Sequence, residues 1–160
     1  MAKKGGGKKP GRGDIATNRQ ASFKYELLER FECGLVLTGT EVKSLRSGKA
    51  QIKDAYASID DGEVWLHNLH IPPYAPASRE NHDPERDRKL LLHRREIERL
   101  VGKTKERGHT LVPTRLYFKD SRAKVEIALA QGKDRFDKRQ SIRERETKRD
   151  MQRAMREANR

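Results

Sequence analysis

The sequence lacks most of what would mark an enzyme or a membrane protein. It has one cysteine, Cys33, which excludes an internal disulfide and a zinc site built from several cysteines. Set between Glu32 and Gly34, that residue reads as a small filler, without the local signature of a nucleophile. Such usage fits a reducing compartment. The first ten residues are Lys- and Gly-rich with no apolar core, unlike a signal peptide, so a cytoplasmic location is expected. No apolar run approaches the ~18 residues a membrane span needs. The phosphate-binding Gly fingerprint, Gly-x-Ser-x-Gly and His-Glu-x-x-His are all missing. His67 and His70 are three apart, a spacing that points them to opposite faces of a strand, so no metal or other cofactor is expected. Asp60-Asp61, a candidate for carboxylate metal chemistry, is better explained by the turn it occupies. An enzyme that processes nucleic acid therefore ranks last among the possible classes.

What the chain does have is positive charge. Lys and Arg number 37 against 24 acids in 160 residues, a net charge of +13. A surplus of that size points to a polyanionic partner, because each cation that neutralises a phosphate releases condensed counterions. The surplus sits at the two ends: residues 1–20 hold six cations and one acid, and residues 131–160 hold eleven and six. The middle is nearly balanced. Three parts are expected: a flexible basic arm over 1–17, a folded domain over 18–130, and a basic tail over 131–160.

Within the domain the pattern is mainly that of strands. Phe23, Tyr25, Leu27 and Phe31 alternate from the start of the first strand, and Gly34 ahead of Leu35-Val36-Leu37 suggests a bend or bulge inside it. A short helix is predicted at 41–46, with Val42 and Leu45 on one face and Lys43 and Arg46 on another. Asp60-Asp61-Gly62-Glu63 joins predicted strands at 56–59 and 64–71 in a hairpin. A second helix opens near His93, carries the stripe Ile97, Leu100, Val101, and ends by Gly108. Strands at 110–118 and 124–130, joined by a turn at Asp120-Ser121-Arg122, complete the set. Short antiparallel strands with two inserted helices suggest a small closed barrel, of the OB type or the SH3-like type.

The segment from Ser78 to Lys89 is a long polar insertion before Leu90-Leu91-Leu92. A solvated loop is one reading of it. The other is recognition of folded RNA, since a segment that includes His82, Arg88 and Lys89 supplies amide, imidazole and guanidinium groups for bases and phosphates.

The runs Asn18-Arg19-Gln20-Ala21, Glu29 to Arg46, Asn81-His82-Asp83-Pro84, Arg88 to Leu92, Gly132-Lys133 and Asp137-Lys138-Arg139 resemble the SsrA-binding protein (SmpB) family, from about Asn18 to the end. The resemblance implies an OB-type barrel, with inserted helices, that binds the tRNA-like domain of transfer-messenger RNA (tmRNA, SsrA). That RNA, carried by elongation factor Tu, enters stalled ribosomes for trans-translation. The resemblance puts Glu32, Leu91 and His93 at RNA-contact positions, with Asn18 and Arg19 at a neighbouring motif; Lys43, Arg46, His82, Arg88 and Lys89 are the other candidates. Many relatives carry Asn where this chain has His93, and imidazole can still donate and accept. Glu32 has two open roles: accepting from the amino groups of guanine or cytosine, or positioning cations. A monomer is expected, and a general RNA binder or ribosomal component is the competing class.

The tail has few apolar residues and no continuous stripe, so it is expected to be disordered alone and helical when bound. Glu144 and Lys148 form a favourable i+4 pair, whereas Glu146 and Asp150 repel. The resemblance implies that it lies in the empty messenger channel of the small ribosomal subunit. Lys133, Asp137, Lys138 and Arg139 would sit near the decoding centre, and Phe136 would stack on a base. Arg143, Arg145, Lys148, Arg149 and Arg153 would hold ribosomal RNA phosphates.

Overall fold

The computed structural model describes residues 13–159 except 49, 78, 80, 107 and 134, and describes 135–138 by backbone alone. Residues 1–12 of the expected arm therefore lie outside the described residues. The elements run β1 (Asp14–Thr17), α1 (Ala21–Lys24), β2 (Tyr25–Leu35), α2 (Gly39–Arg46), β3 (Tyr56–Asp60), β4 (Glu63–His67), β5 (Arg88–Leu91), α3 (Arg94–Thr104), β6 (His109–Lys119), β7 (Arg122–Gly132) and α4 (Arg135–Ala158).

All strand pairings are antiparallel. β3, β4, β5, β2, β7 and β6 pair in that order, β6 returns to β3, and β1 adds to β6. The ring is thus closed, which leaves few unpaired edges. This is the mainly β closed barrel with inserted helices that the patterning suggested. Alternation fills it: Phe31, Cys33 and Leu35 of β2, Val64 and Leu66 of β4, Leu90 of β5 and Val125, Ile127 and Leu129 of β7 are buried in one core. Leu45 of α2 and Leu100 of α3 belong to the same core. Cys33 is part of this filling, and burial pushes its thiol up to about 12.

Several expectations shift. Phe23 lies in α1, so the first long strand begins at Tyr25; Ala21 packs with Val112, Ala128 and Ala130 in a small second cluster. The outward alanines of β7 make room for that turn of helix. Asp14–Thr17, inside the expected arm, pairs with β6. The bulge in β2 falls between Leu27 and Glu29, and pairing runs unbroken through Gly34. β4 stops at His67 because Asn68 turns the chain at φ 59°. β5 went unseen because only four residues at the end of a polar segment form it.

Both hairpins close through two residues of positive φ: Asp61 and Gly62 (49° and 73°), then Asp120 and Ser121 (51° and 64°). Their handedness matches the twist of the strands they join. Pro113 in β6 sits at a register shift between Pro113 and Arg115, where its missing N–H is tolerated.

Residues 135–158 form one helix, whose side chains from 139 onward are almost all exposed. It is tied to the barrel at its base. The Lys133 N–H donates to the Lys24 carbonyl at 3.1 Å, Lys133 Nζ donates to the Ser22 carbonyl at 2.9 Å, and Arg145 lies 5.4 Å from the Phe23 ring centroid. Among the described residues no helix is long and apolar enough to cross a membrane, and no cluster of metal-ligating side chains forms.

Candidate nucleic-acid interface

In β2 the residues between the buried ones face outward, and these include Glu32 and Gly34. In β5 Leu90 is buried while Leu91 is 53% exposed. Gly34 pairs with Leu91 on one side and Lys124 on the other. A floor without a side chain therefore runs between an apolar wall and a cationic one. A Cβ on Gly34 would stand 3.2 Å from Leu91 Cβ, so the glycine is what lets the leucine approach.

Around this floor opens a groove of ≈ 540 Å³, lined by Glu32, Leu91 and His93 together with Val42, Phe118, Arg122 and Lys124. Glu32 thus meets Leu91 and His93, some sixty positions further along the chain. His93 is the N-cap of α3 and makes no side-chain cap bond; its side chain is 91% exposed and loosely paired with Glu96 at 3.9 Å.

Glu32, Arg122 and Lys124 also line a further space of ≈ 400 Å³ at the β6–β7 hairpin, together with Lys119 and Asp120. Glu32 accepts a hydrogen bond from the Tyr117 hydroxyl and one from Lys119 Nζ at 3.3 Å. The Tyr117 hydroxyl, then Lys119 and Lys124, hold the carboxyl below its usual range against the opposing effect of partial burial. Burial and Glu32 together push the Tyr117 phenol up, and the Arg115 guanidinium lies 4.4 Å from the centroid of that ring. The result is an ionised acceptor, 42% exposed, edged by three cations. Acceptors of this kind read amino groups on bases, while the cations neutralise phosphates. Lys119, Arg122 and Lys124 were overlooked because the hairpin drew notice only as a turn.

The remaining candidates lie elsewhere. Asn18 donates through Nδ2 to the Pro113 carbonyl at 3.1 Å, and its buried Oδ1 has no partner among the described residues. It lines a second groove of ≈ 340 Å³ with Lys24, Tyr25, Lys53 and Tyr56. Arg19 is exposed beside it, and Lys43 and Arg46 are exposed on α2. Lys89 pairs with Glu63 at 3.0 Å on the outer face.

Two candidates from the polar segment are corrected. Arg88 is fully buried, and no phosphate can reach it. It donates to Glu41, to the Leu69 carbonyl and to the Pro84 carbonyl. Burial would raise the Glu41 carboxyl, but the Thr38 N–H, Arg86 and Arg88 hold it below its usual range. This buried pair joins α2 to β5. His82 has both ring nitrogens engaged, with Thr40 Oγ1 and the Ile71 carbonyl at 2.9 Å each, and so pins the segment instead of presenting its ring.

In the tail, Arg139, Arg143, Arg145, Lys148, Arg149 and Arg153 are exposed along α4. The side chains of Phe136, Asp137 and Lys138 lie outside the described residues.

The sequence model of the SmpB protein family matches residues 15–157. The SsrA-binding protein of Parafrankia sp. (strain EAN1pec) is 57% identical over 148 residues, covering 92% of this chain and 94% of its own. That of Thermobifida fusca (strain YX) is 60% identical over 142 residues, 89% of each chain. The protein of the same name from Syntrophomonas wolfei (strain DSM 2245B / Goettingen) is 52% identical over 160 residues, all of this chain and 99% of its own. A solved chain described as "tmRNA-SmpB: a journey to the center of the bacterial ribosome" superposes with a TM-score of 0.64 at 48% identity, covering 80% of this chain and 94% of that one.

Proposed function

This chain belongs to the SmpB protein family, and we propose that it binds the tRNA-like domain of tmRNA in the groove of Glu32, Leu91 and His93. The observation that carries the reading is the meeting of those three side chains with Lys119, Arg122 and Lys124 around two openings that share Glu32, Arg122 and Lys124. Leu91 offers an apolar surface to an unstacked base. Glu32 accepts from the amino group of guanine or cytosine, since each carboxylate oxygen has capacity beyond its present donor. The cations hold neighbouring phosphates and fix the register. Asn18 and Arg19, beside the second groove, make a separate contact.

The barrel then acts as an adaptor, cytoplasmic and monomeric. It delivers tmRNA, with elongation factor Tu, to stalled ribosomes for trans-translation. The tail, 131–160, enters the empty messenger channel of the small subunit near the decoding centre, where its arginines and lysines meet ribosomal RNA. The exposed cationic surface of α4 supports this division.

Competition tests the specific reading against a general RNA binder. Labelled tmRNA bound to the full chain should resist excess ordinary transfer RNA; equal displacement defeats the proposal. Removing residues 131–160 should leave affinity for free tmRNA largely intact and abolish rescue of stalled ribosomes.

A further inference from the structure

Outside the groove, two side chains from adjacent strands and one from the residue ahead of a third converge on the outer face of the barrel. In β3 and β4, Ala57 pairs with Leu66, both buried, so Tyr56, Ser58 and His67 share the opposite face. Asp87 immediately precedes β5 and lies beside them. His67 Nδ1 is 2.8 Å from Asp87 Oδ1, and His67 Nε2 is 2.6 Å from Ser58 Oγ. A carboxylate only accepts, so the proton of the neutral imidazole belongs on Nδ1. Nε2 then presents its lone pair to the Ser58 hydroxyl. The Tyr56 ring, 5.0 Å away by centroid and tilted 31°, supports the imidazole. Nucleophile, base and orienting carboxylate stand in hydrogen-bonded sequence, an arrangement recognised by geometry and not by chain order.

We propose that Ser58 is a nucleophile toward activated acyl esters, with His67 as its general base and Asp87 as a positioning residue. Ser58 Oγ adds to the ester carbonyl carbon while His67 Nε2 takes the hydroxyl proton. The tetrahedral adduct collapses, the bond to the leaving oxygen breaks, and the leaving alkoxide or phenoxide receives that proton. An acyl-serine remains, and water activated by the same imidazole releases it as the acid. No oxidant or reductant is involved. Proton removal of this kind is worth about 10²–10⁴ in rate. Oxyanion donors, worth about another 10²–10³, are no part of these three side chains, so near-stoichiometric acylation is expected instead of rapid turnover.

The full chain is treated with p-nitrophenyl acetate, and acetylation of the Ser58 peptide is followed by mass spectrometry beside p-nitrophenolate release. One acetyl group should appear on Ser58. Ser58→Ala should remove the fast phase, and His67→Gln should slow Ser58 acylation by about 100-fold. Asp87→Asn should slow it by about 10-fold; Asp87 is exposed, so this variant tests the relay even if a change at His67 disturbs the fold. Acetyl groups confined to lysines, or Ser58 acylation unchanged in Asp87→Asn, would overturn the proposal. None of the three residues lines the Glu32 groove, so tmRNA affinity should be unaltered in every variant, and the two proposals fail independently.

Discussion

Replacing Glu32 by Gln removes a charge from the groove while nearly preserving its shape, and the sign of the effect on RNA binding separates two mechanisms. Glu32 is one acid among Lys119, Arg122 and Lys124. If its part were only to space those cations, loss of a negative charge would strengthen attraction to phosphate. Affinity would rise, and the logarithmic salt slope would steepen by about one phosphate equivalent. If it accepts from a base amino group, the substitution replaces a charged acceptor by a weaker one that also carries a donor. A good base contact is worth about 1–3 kcal/mol, or roughly a 5- to 150-fold loss at constant salt slope. Solvent screens the carboxylate at 42% exposure, so the pair with Lys119 contributes less than about 1 kcal/mol to folding. The Tyr117 hydroxyl can still donate to the Gln carbonyl. Equilibrium binding of the tRNA-like domain across a salt series, with a thermal melt as control, reads both quantities. Unchanged or tighter binding by the folded variant would refute the base-acceptor role.

Gly34→Ala should leave the barrel folded but displace Leu91 by a few tenths of an ångström, since the new Cβ meets Leu91 Cβ at 3.2 Å; RNA affinity should fall several-fold, about 1 kcal/mol, with little change in melting temperature. Arg88→Ala removes the fully buried partner of the Glu41 carboxylate, leaving it only Arg86 and Thr38, and should cost up to about 3–5 kcal/mol of stability in chemical denaturation. Glu41 is held below its usual range when folded, so its contribution is complete above the ordinary carboxylate pKa and fades as pH falls through the lowered folded value. Acid titration of stability should therefore be shallower in Glu41→Gln. Phe23→Ala removes the ring near Arg145, a contact of about 0.5–1 kcal/mol; faster amide exchange in α4 with unchanged affinity for free tmRNA is the expected result.

The Asp-Gly turn, the alternation through Val125, Ile127 and Leu129, and the stripe of α3 were legible because each depends on neighbours in sequence. Short-range chemistry was enough to propose strands, helices and a closed barrel. Leu91 marks the limit. In the run Leu90-Leu91-Leu92 nothing local says which leucine faces out, and only pairing with β2 turns Leu90 inward and Leu91 into the groove. Arg88 misled for the same reason: an arginine in a polar run reads as exposed until Glu41 and three carbonyls surround it.

The sequence by itself determined the basic ends, the strand pattern and the family motifs, all of which are written in composition and short spacings. Tertiary structure alone decided that Glu32, Leu91 and His93 share one groove, that Asn18 stands at another, and that Ser58, His67 and Asp87 meet. Glu32 reaches Leu91 and Asp87 reaches His67 only because β5 pairs with β2 and with β4, strands whose proximity no local spacing encodes.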